Sequence, residues 1–220
     1  YHHIPAAVVF GESDEIADAF AIRADLANKV LAVGNTEYEA TYTIVPTIMT
    51  IYRGYSWADI QIGNTPVRFV TTHLESLWDE NKVPNAAKQA QQLITDLENT
   101  KNPIVIMGDF NSDPRDPRIS DDPNAGGQPT ASKTCPGGSS VCNAYLIIRE
   151  AGFTDVGPDA LDPMNNTWGM NALLTGPDPD RLKYSQQIGN FAGYSDRLDY
   201  IFVRNGAVPV SSRLIGAVPP

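Results

Sequence analysis

The sequence predicts a mixed α/β domain, α+β in its order of elements, built as a layered sandwich with helices outside the sheet. Three observations point there. A strand hairpin turns at Gly63-Asn64, a strongly amphipathic helix precedes Thr100, and the apolar run Ile104-Val105-Ile106-Met107 has the length of an interior strand. Strands and helices mix along the chain without the strict alternation of a Rossmann sheet.

Each element has its own signal. From Ser56 to Ile62 the residues alternate, with Ala58, Ile60 and Ile62 on one side and Trp57, Asp59 and Gln61 on the other. That is the pattern of a half-buried strand. Gly63-Asn64 makes the turn, and Pro66 to Thr72 returns as the partner strand. Between Pro84 and Asn99, residues Ala86, Ala87, Ala90, Leu93, Ile94 and Leu97 keep helical spacing, with Lys, Gln, Asp and Glu between them. The run Ile104 to Met107 has no polar alternation, so burial on both faces is expected. Asn143 is placed to cap a short helix, Ala144 to Ala151, that Gly152 ends. Arg197 to Arg204 is a further strand, with Leu198, Tyr200 and Phe202 opposite Asp199, Ile201 and Val203. The stretches Ser112–Ser140 and Val156–Gly193 are rich in Pro, Gly, Asn, Asp and Ser. They are expected to be long loops, which in compact domains often carry functional surface. No repeat and no linker divides residues 1–220, so one domain is expected.

A chain of 220 residues is long enough for one substantial core. With 42% hydrophobic and 19% charged residues the composition is that of an ordinary globular protein. The net charge of −10 argues against holding nucleic acid by non-specific charge, which needs clustered Lys and Arg. It leaves room for an enzyme acting on a phosphodiester, because local groups or a bound cation offset global charge. No apolar run approaches the roughly 20 residues of a membrane-spanning helix. Tyr1-His2-His3-Ile4-Pro5 lacks the basic-then-apolar pattern of a signal peptide. The two cysteines, Cys135 and Cys142, flank Pro136-Gly137-Gly138-Ser139-Ser140-Val141. A disulfide closing that loop suits a secreted or periplasmic protein; the other reading is two thiols in a reducing cell. Asn165-Asn166-Thr167 fits a glycosylation acceptor, which matters only in a eukaryotic secretory protein.

Three segments bring polar side chains to the ends of expected strands. In Gly108-Asp109-Phe110-Asn111, an extended backbone sends Asp109 and Asn111 to one side and Phe110 into the core. A carboxylate beside an amide offers a proton or metal acceptor next to a phosphate hydrogen-bond donor; the plainer reading is an Asx turn ending a strand. His73 ends the returning hairpin strand, where it can donate to a phosphoryl oxygen or a leaving group, or be purely structural. Glu75 either contacts His73 or faces solvent. Asp199 lies in an otherwise apolar strand, so its carboxylate needs a partner. That partner is either a catalytic histidine it orients or one of its neighbours Arg197 and Arg204.

Taken in order, Thr72-His73-Leu74, Gly108-Asp109-Phe110-Asn111 and Arg197-Leu198-Asp199-Tyr200-Ile201-Phe202 resemble the endonuclease/exonuclease/phosphatase superfamily. That group includes pancreatic-type deoxyribonuclease, abasic-site endonucleases, sphingomyelinases and inositol-phosphate phosphatases. The resemblance runs from Ala19 to Arg204. It implies a four-layer α/β/β/α sandwich, deoxyribonuclease-I-like, and in-line attack of water on phosphorus assisted by Mg²⁺ or another divalent cation such as Mn²⁺ or Ca²⁺. By position, Asp109 would orient or activate the water and is the candidate metal ligand. Asn111 would bind a phosphoryl oxygen, His73 would stabilise the phosphoryl group or the leaving oxygen, and Asp199 would hold the histidine of a later Ser-Asp-His motif. The implied substrate is a phosphoester, in a nucleic acid or a phospholipid headgroup.

The sequence departs from that pattern in three places. No Ser-Asp-His motif follows Asp199, the early asparagine is missing, and Glu12 and Glu15 do not form the expected Gln-Glu motif. His2 and His3 lie at the wrong end to replace the base. The fold is therefore expected to be incomplete in this chain. A fragment of a longer enzyme is favoured over a site completed by a second chain, and over a degenerate relative that binds without chemistry. The intact protein is expected to be a secreted or periplasmic phosphoester hydrolase, and the 220 residues alone to be inactive. The reading from another class is a non-catalytic binding or structural protein on the same scaffold.

Overall fold

The structure, a computed structural model, describes residues 2–5, 9–10, 14–15, 19–45, 49–77, 79, 83–115, 143–169 and 179–215. Strands β1 (His2–Pro5), β2 (Val9–Phe10), β3 (Asp14–Glu15) and β4 (Ala19–Ile22) form two antiparallel pairs, β1–β4 and β2–β3. After β5 (Val30–Glu37) comes another antiparallel pair, β6 (Tyr42–Val45) and β7 (Met49–Ile51). The chain then builds β8 (Gly54–Ile62), β9 (Thr65–His73), helix α1 (Asn85–Asp96) and β10 (Ile104–Asp109). It continues through α2 (Ala144–Glu150), β11 (Thr154–Asp155), β12 (Trp168–Gly169), α3 (Pro179–Gln187), β13 (Tyr194–Asp196) and β14 (Asp199–Arg204).

Six of these strands make the central sheet, in the order β11-β14-β10-β9-β8-β5. The hairpin β8–β9 is antiparallel, as the sequence predicts, and turns at Gly63, whose φ of +59° a glycine adopts without cost. Strands β9 and β10 are parallel, and the crossover that parallel pairing requires is α1. Strand β14 returns antiparallel on the far side of β10.

One face of the sheet carries Val70, Ile104, Ile106, Tyr200 and Phe202, and α1 and α2 pack over it with Ala86, Ala90, Leu93, Ile147 and Ile148. Ile104, Ile106 and Phe202 are wholly shielded, and each such side chain contributes about 1.5–3 kcal/mol by leaving water. Phe110 and Phe202 meet edge to face at 5.0 Å. On the opposite face a smaller cluster joins Ile22, Phe20, Leu26 and Val30 to Ala58, Ile60 and Phe69. The result is a mixed α/β fold with a large central sheet and few helices, of the deoxyribonuclease-I-like class.

Several sequence expectations change in detail. The helix after Pro84 begins at Asn85, with Pro84 as its N-cap residue. Ile62, at the tip of the hairpin, is 44% exposed rather than buried with Ala58 and Ile60. The run Ile104 to Met107 is shielded on one face only, because Val105 and Met107 point to the face opposite the helices and are half-buried. Within Val156–Gly193, expected as loop, lie a short 3-10 turn (Pro163–Asn165), β12 and the helix α3. Asn143 does cap α2, its side chain accepting from Leu146 N at 3.0 Å. Asn165 of the glycosylation triplet donates its amide nitrogen to Asp159 O at 2.9 Å. Cys135 and Cys142 lie outside the described residues.

Candidate active site

The register of the sheet assembles the site. Asp109, the last residue of β10, pairs with His73 at the end of β9 and with Asp199 at the start of β14. Paired residues share a face, so His73, Asp109 and Asp199 form a row across three neighbouring strands. Gly108 makes the preceding pair possible: its φ is +153°, and a Cβ there would overlap the carbonyl oxygen of Thr72. Leu74 N donates to Asp109 O at 3.0 Å and Phe110 N to Leu198 O at 2.8 Å, so the chain stays tied on both sides as it leaves the sheet.

Beyond Asp109 the backbone is not extended, contrary to the sequence expectation. Asn111 has φ +45°, a left-handed conformation that Asn tolerates, and its N–H donates to Asp109 Oδ1 at 2.8 Å. The Asx turn therefore exists, and it is also what fixes the carboxylate. Phe110 points into the core as expected, fully buried. The Asn111 side chain donates from Nδ2 to Leu74 O at 2.7 Å, and that amide nitrogen carries a second proton for another acceptor.

His73 is held from behind. Arg53 Nη1 lies 3.1 Å from His73 Nδ1, and Arg53 Nε donates to Glu75 Oε2 at 3.2 Å. Burial and then the Arg53 charge push the imidazole pKa from 6.5 down to about 4, so His73 is neutral near pH 7. Its approach to Asp109, Nε2 to Oδ2 at 3.6 Å, is thus no ion pair, and it is longer than a hydrogen bond. Glu75 neither contacts His73 nor faces solvent. It is 2% exposed and ion-paired with Arg53.

Asp199 does not make the ion pair with Arg197 or Arg204 that the sequence allowed. It is exposed, so burial imposes no partner on it. Arg197 Nε donates to the backbone carbonyl of Asp199 at 2.9 Å, while Arg204 reaches Leu97 O at 2.7 Å. No ion pair to Asp199 occurs among the described residues.

A second network, unseen in the sequence, supports the turn. Asp113 is fully buried and accepts from Arg197 N at 2.8 Å and from Arg115 Nε at 2.7 Å. Asn143 Nδ2 donates to Asp113 O at 2.8 Å, and the Tyr200 hydroxyl donates to Ser112 O at 3.1 Å. The only sequence signal for this was Asn143 as a helix cap. Arg53 gave none, because its partners lie 20 and 22 residues away across a hairpin.

Among the described residues no group of three or more His, Cys, Asp and Glu side chains comes together as a cation site. The residues present do not by themselves fit a divalent ion, and Asp109 would have to share one with groups beyond them.

A family model described as the endonuclease/exonuclease/phosphatase family matches residues 36–220. Comparison with the curated proteins gives no match. Among solved structures, a mannosyl-6-phosphatase of Bacteroides thetaiotaomicron VPI-5482 is 15% identical at a TM-score of 0.52, covering 93% of this chain and 63% of that one. A protein of the family from Bacteroides thetaiotaomicron is 15% identical at 0.50, covering 92% and 60%. Another from Bacteroides vulgatus is 15% identical at 0.50, covering 96% and 67%. At this identity the likeness is one of fold, and the chain spans less than two thirds of the first two structures.

Proposed function

The chain belongs to the endonuclease/exonuclease/phosphatase family, and we propose that the sheet end at His73, Asp109 and Asn111 is the substrate-facing wall of a phosphoester hydrolase site. One observation carries this reading: the 3.6 Å gap between His73 Nε2 and Asp109 Oδ2 at the mouth of two parallel strands. At that separation one water on the open side of the pair can donate to the carboxylate and accept from the ring N–H, and a phosphoryl oxygen can accept from the ring N–H alone.

The chemistry follows from the side chains. Hydrolysis needs a positioned water, an acceptor for its proton, and donors for the charge that grows on the phosphoryl oxygens. Asp109 supplies the acceptor, with Oδ1 pinned by Asn111 N and Oδ2 turned toward the gap. Neutral His73 supplies a donor, and the second amide proton of Asn111 another. Asp199, one strand further along, closes the row on its acidic side. The proposed substrates are phosphodiesters, in nucleic acid or phospholipid headgroups, and the proposed setting is secreted or periplasmic. Mg²⁺ or another divalent cation is the proposed cofactor, shared by Asp109 with groups outside the described residues.

The test uses the intact protein with bis-p-nitrophenyl phosphate and Mg²⁺. Asp109→Ala is expected to lower turnover by about 10²-fold or more, the loss of a group that acts in the transition state. Chelation by EDTA is expected to stop turnover. Undiminished turnover by the Asp109 variant would sink the assignment.

A further inference from the structure

Nothing in the hydrolytic reading requires an arginine behind the histidine, yet Arg53 is held there firmly. Its side chain is 12% exposed and ion-paired with Glu75, which is itself 2% exposed. Glu75 is fixed in turn by the Leu77 N–H at 3.1 Å and the Ser76 hydroxyl at 3.4 Å. Arg53 also enters the backbone framework, its carbonyl accepting from Tyr38 N at 2.8 Å. The guanidinium thus has one orientation, and one of its nitrogens lies 3.1 Å from His73 Nδ1.

A guanidinium carries only donors and keeps its protons throughout the working pH range. Whatever ring nitrogen faces it must act as the acceptor. We propose that Arg53, braced by Glu75, is a positioning residue that locks His73 in the tautomer protonated at Nε2, so that His73 meets the substrate as a hydrogen-bond donor and not as a base. The lock settles a choice that the imidazole alone leaves open, since a neutral histidine populates both tautomers and which one prevails is set by the partner of the other nitrogen. Nε2–H then points into the gap before Asp109. The division of labour follows: the acceptor for the water's proton is Asp109, and His73 contacts an anionic oxygen. This inference rests on the proposed function for its consequence in turnover, but its structural part stands on the ring alone.

Long-range ¹H–¹⁵N correlation spectra of the ¹⁵N-labelled intact protein separate the two, with His73 assigned by the signals that vanish in His73→Gln. At neutral pH the expected pattern has an unprotonated, pyridine-like Nδ1 and a protonated, pyrrole-like Nε2. Arg53→Met/Glu75→Gln removes the donor without leaving a buried carboxylate unpaired, and is expected to average the two nitrogen shifts. Arg53→Lys restores a donor and the original pattern. Turnover of bis-p-nitrophenyl phosphate by the double variant is expected to fall about tenfold in kcat at little changed KM, the lower end of what losing an orienting partner costs. An averaged or Nδ1-protonated pattern in the unaltered protein, or an unaltered pattern in the double variant, overturns the proposal. The expected spectra in a protein without phosphoesterase turnover would instead refute the proposed function and leave the tautomer lock in place.

Discussion

The imidazole of His73 links local burial to the stability of the whole chain. Burial and Arg53 hold its pKa near 4, against 6.5 for the free group. Between those values the unfolded chain binds a proton that the folded chain refuses, so stability rises with pH through this window. The contribution is complete above about pH 6.5 and is lost as pH falls toward about 4. Solvent reaches 35% of the side chain, and that screening keeps the effect below what a wholly buried ring would give. Urea midpoints of the protein and of His73→Gln, compared between those two pH values, should converge on acidification, because the variant lacks the titrating group. A difference independent of pH would mean that His73 does not couple folding to protons. At this scale much of the site was legible in the sequence. Gly108-Asp109-Phe110-Asn111 is a local motif whose turn chemistry is written in adjacent residues, and the Asx turn holds the carboxylate of the candidate site. Arg53 was not legible, since only the pairing of β8 with β9 brings it to His73.

Among the elements, the ends of α1 and α2 depend on one residue of β14. Arg204 Nη2 donates to Leu97 O at 2.7 Å and Nη1 to Ala151 O at 3.4 Å, satisfying carbonyls at the C-terminal ends of both helices. The same guanidinium lies 4.3 Å over the ring of Phe153. Arg204→Met keeps most of the apolar stem and removes these bonds. It is expected to cost about 2 kcal/mol, two modest hydrogen bonds to a charged donor together with a partly desolvated cation–π contact. The measurement is the urea midpoint at unchanged slope, and a midpoint within error of the parent would show that solvent caps both helices equally well. Elements with strong periodicity, the hairpin, α1 and β14, were legible for the reason that each buries one face. Strand β5 escaped because it buries no regular face, with Leu31 and Val33 exposed and Gly34 standing where the Trp57 ring crosses the neighbouring strand. Helix α3 escaped because its own sequence is polar; it is anchored by Arg181, which bonds Asp196 Oδ2 at 2.8 Å and lies 4.0 Å over Trp168. Such long-range polar anchors leave no periodic trace.

Under the proposed function, the net charge of −10 on these 220 residues opposes the approach of a polyanionic substrate. A nucleic-acid enzyme with a basic footprint binds less well as salt rises, because binding releases condensed counterions. Here the long-range term has the opposite sign: the chain repels a polyanion, while the donors of the proposed site act only on the one phosphate that reaches them. Raising ionic strength from 0.01 to 0.1 M shortens the screening length from about 30 Å to about 10 Å, which removes most of the repulsion and spares contacts inside the site. The KM of the protein for a single-stranded oligonucleotide should therefore fall as salt rises over this range. For bis-p-nitrophenyl phosphate, with one charge, it should change far less. Steady-state kinetics on both substrates at several salt concentrations checks the sign. A KM for the oligonucleotide that climbs steeply with salt would reveal a cationic track along the protein, and the case for attraction confined to the end of the sheet would fail.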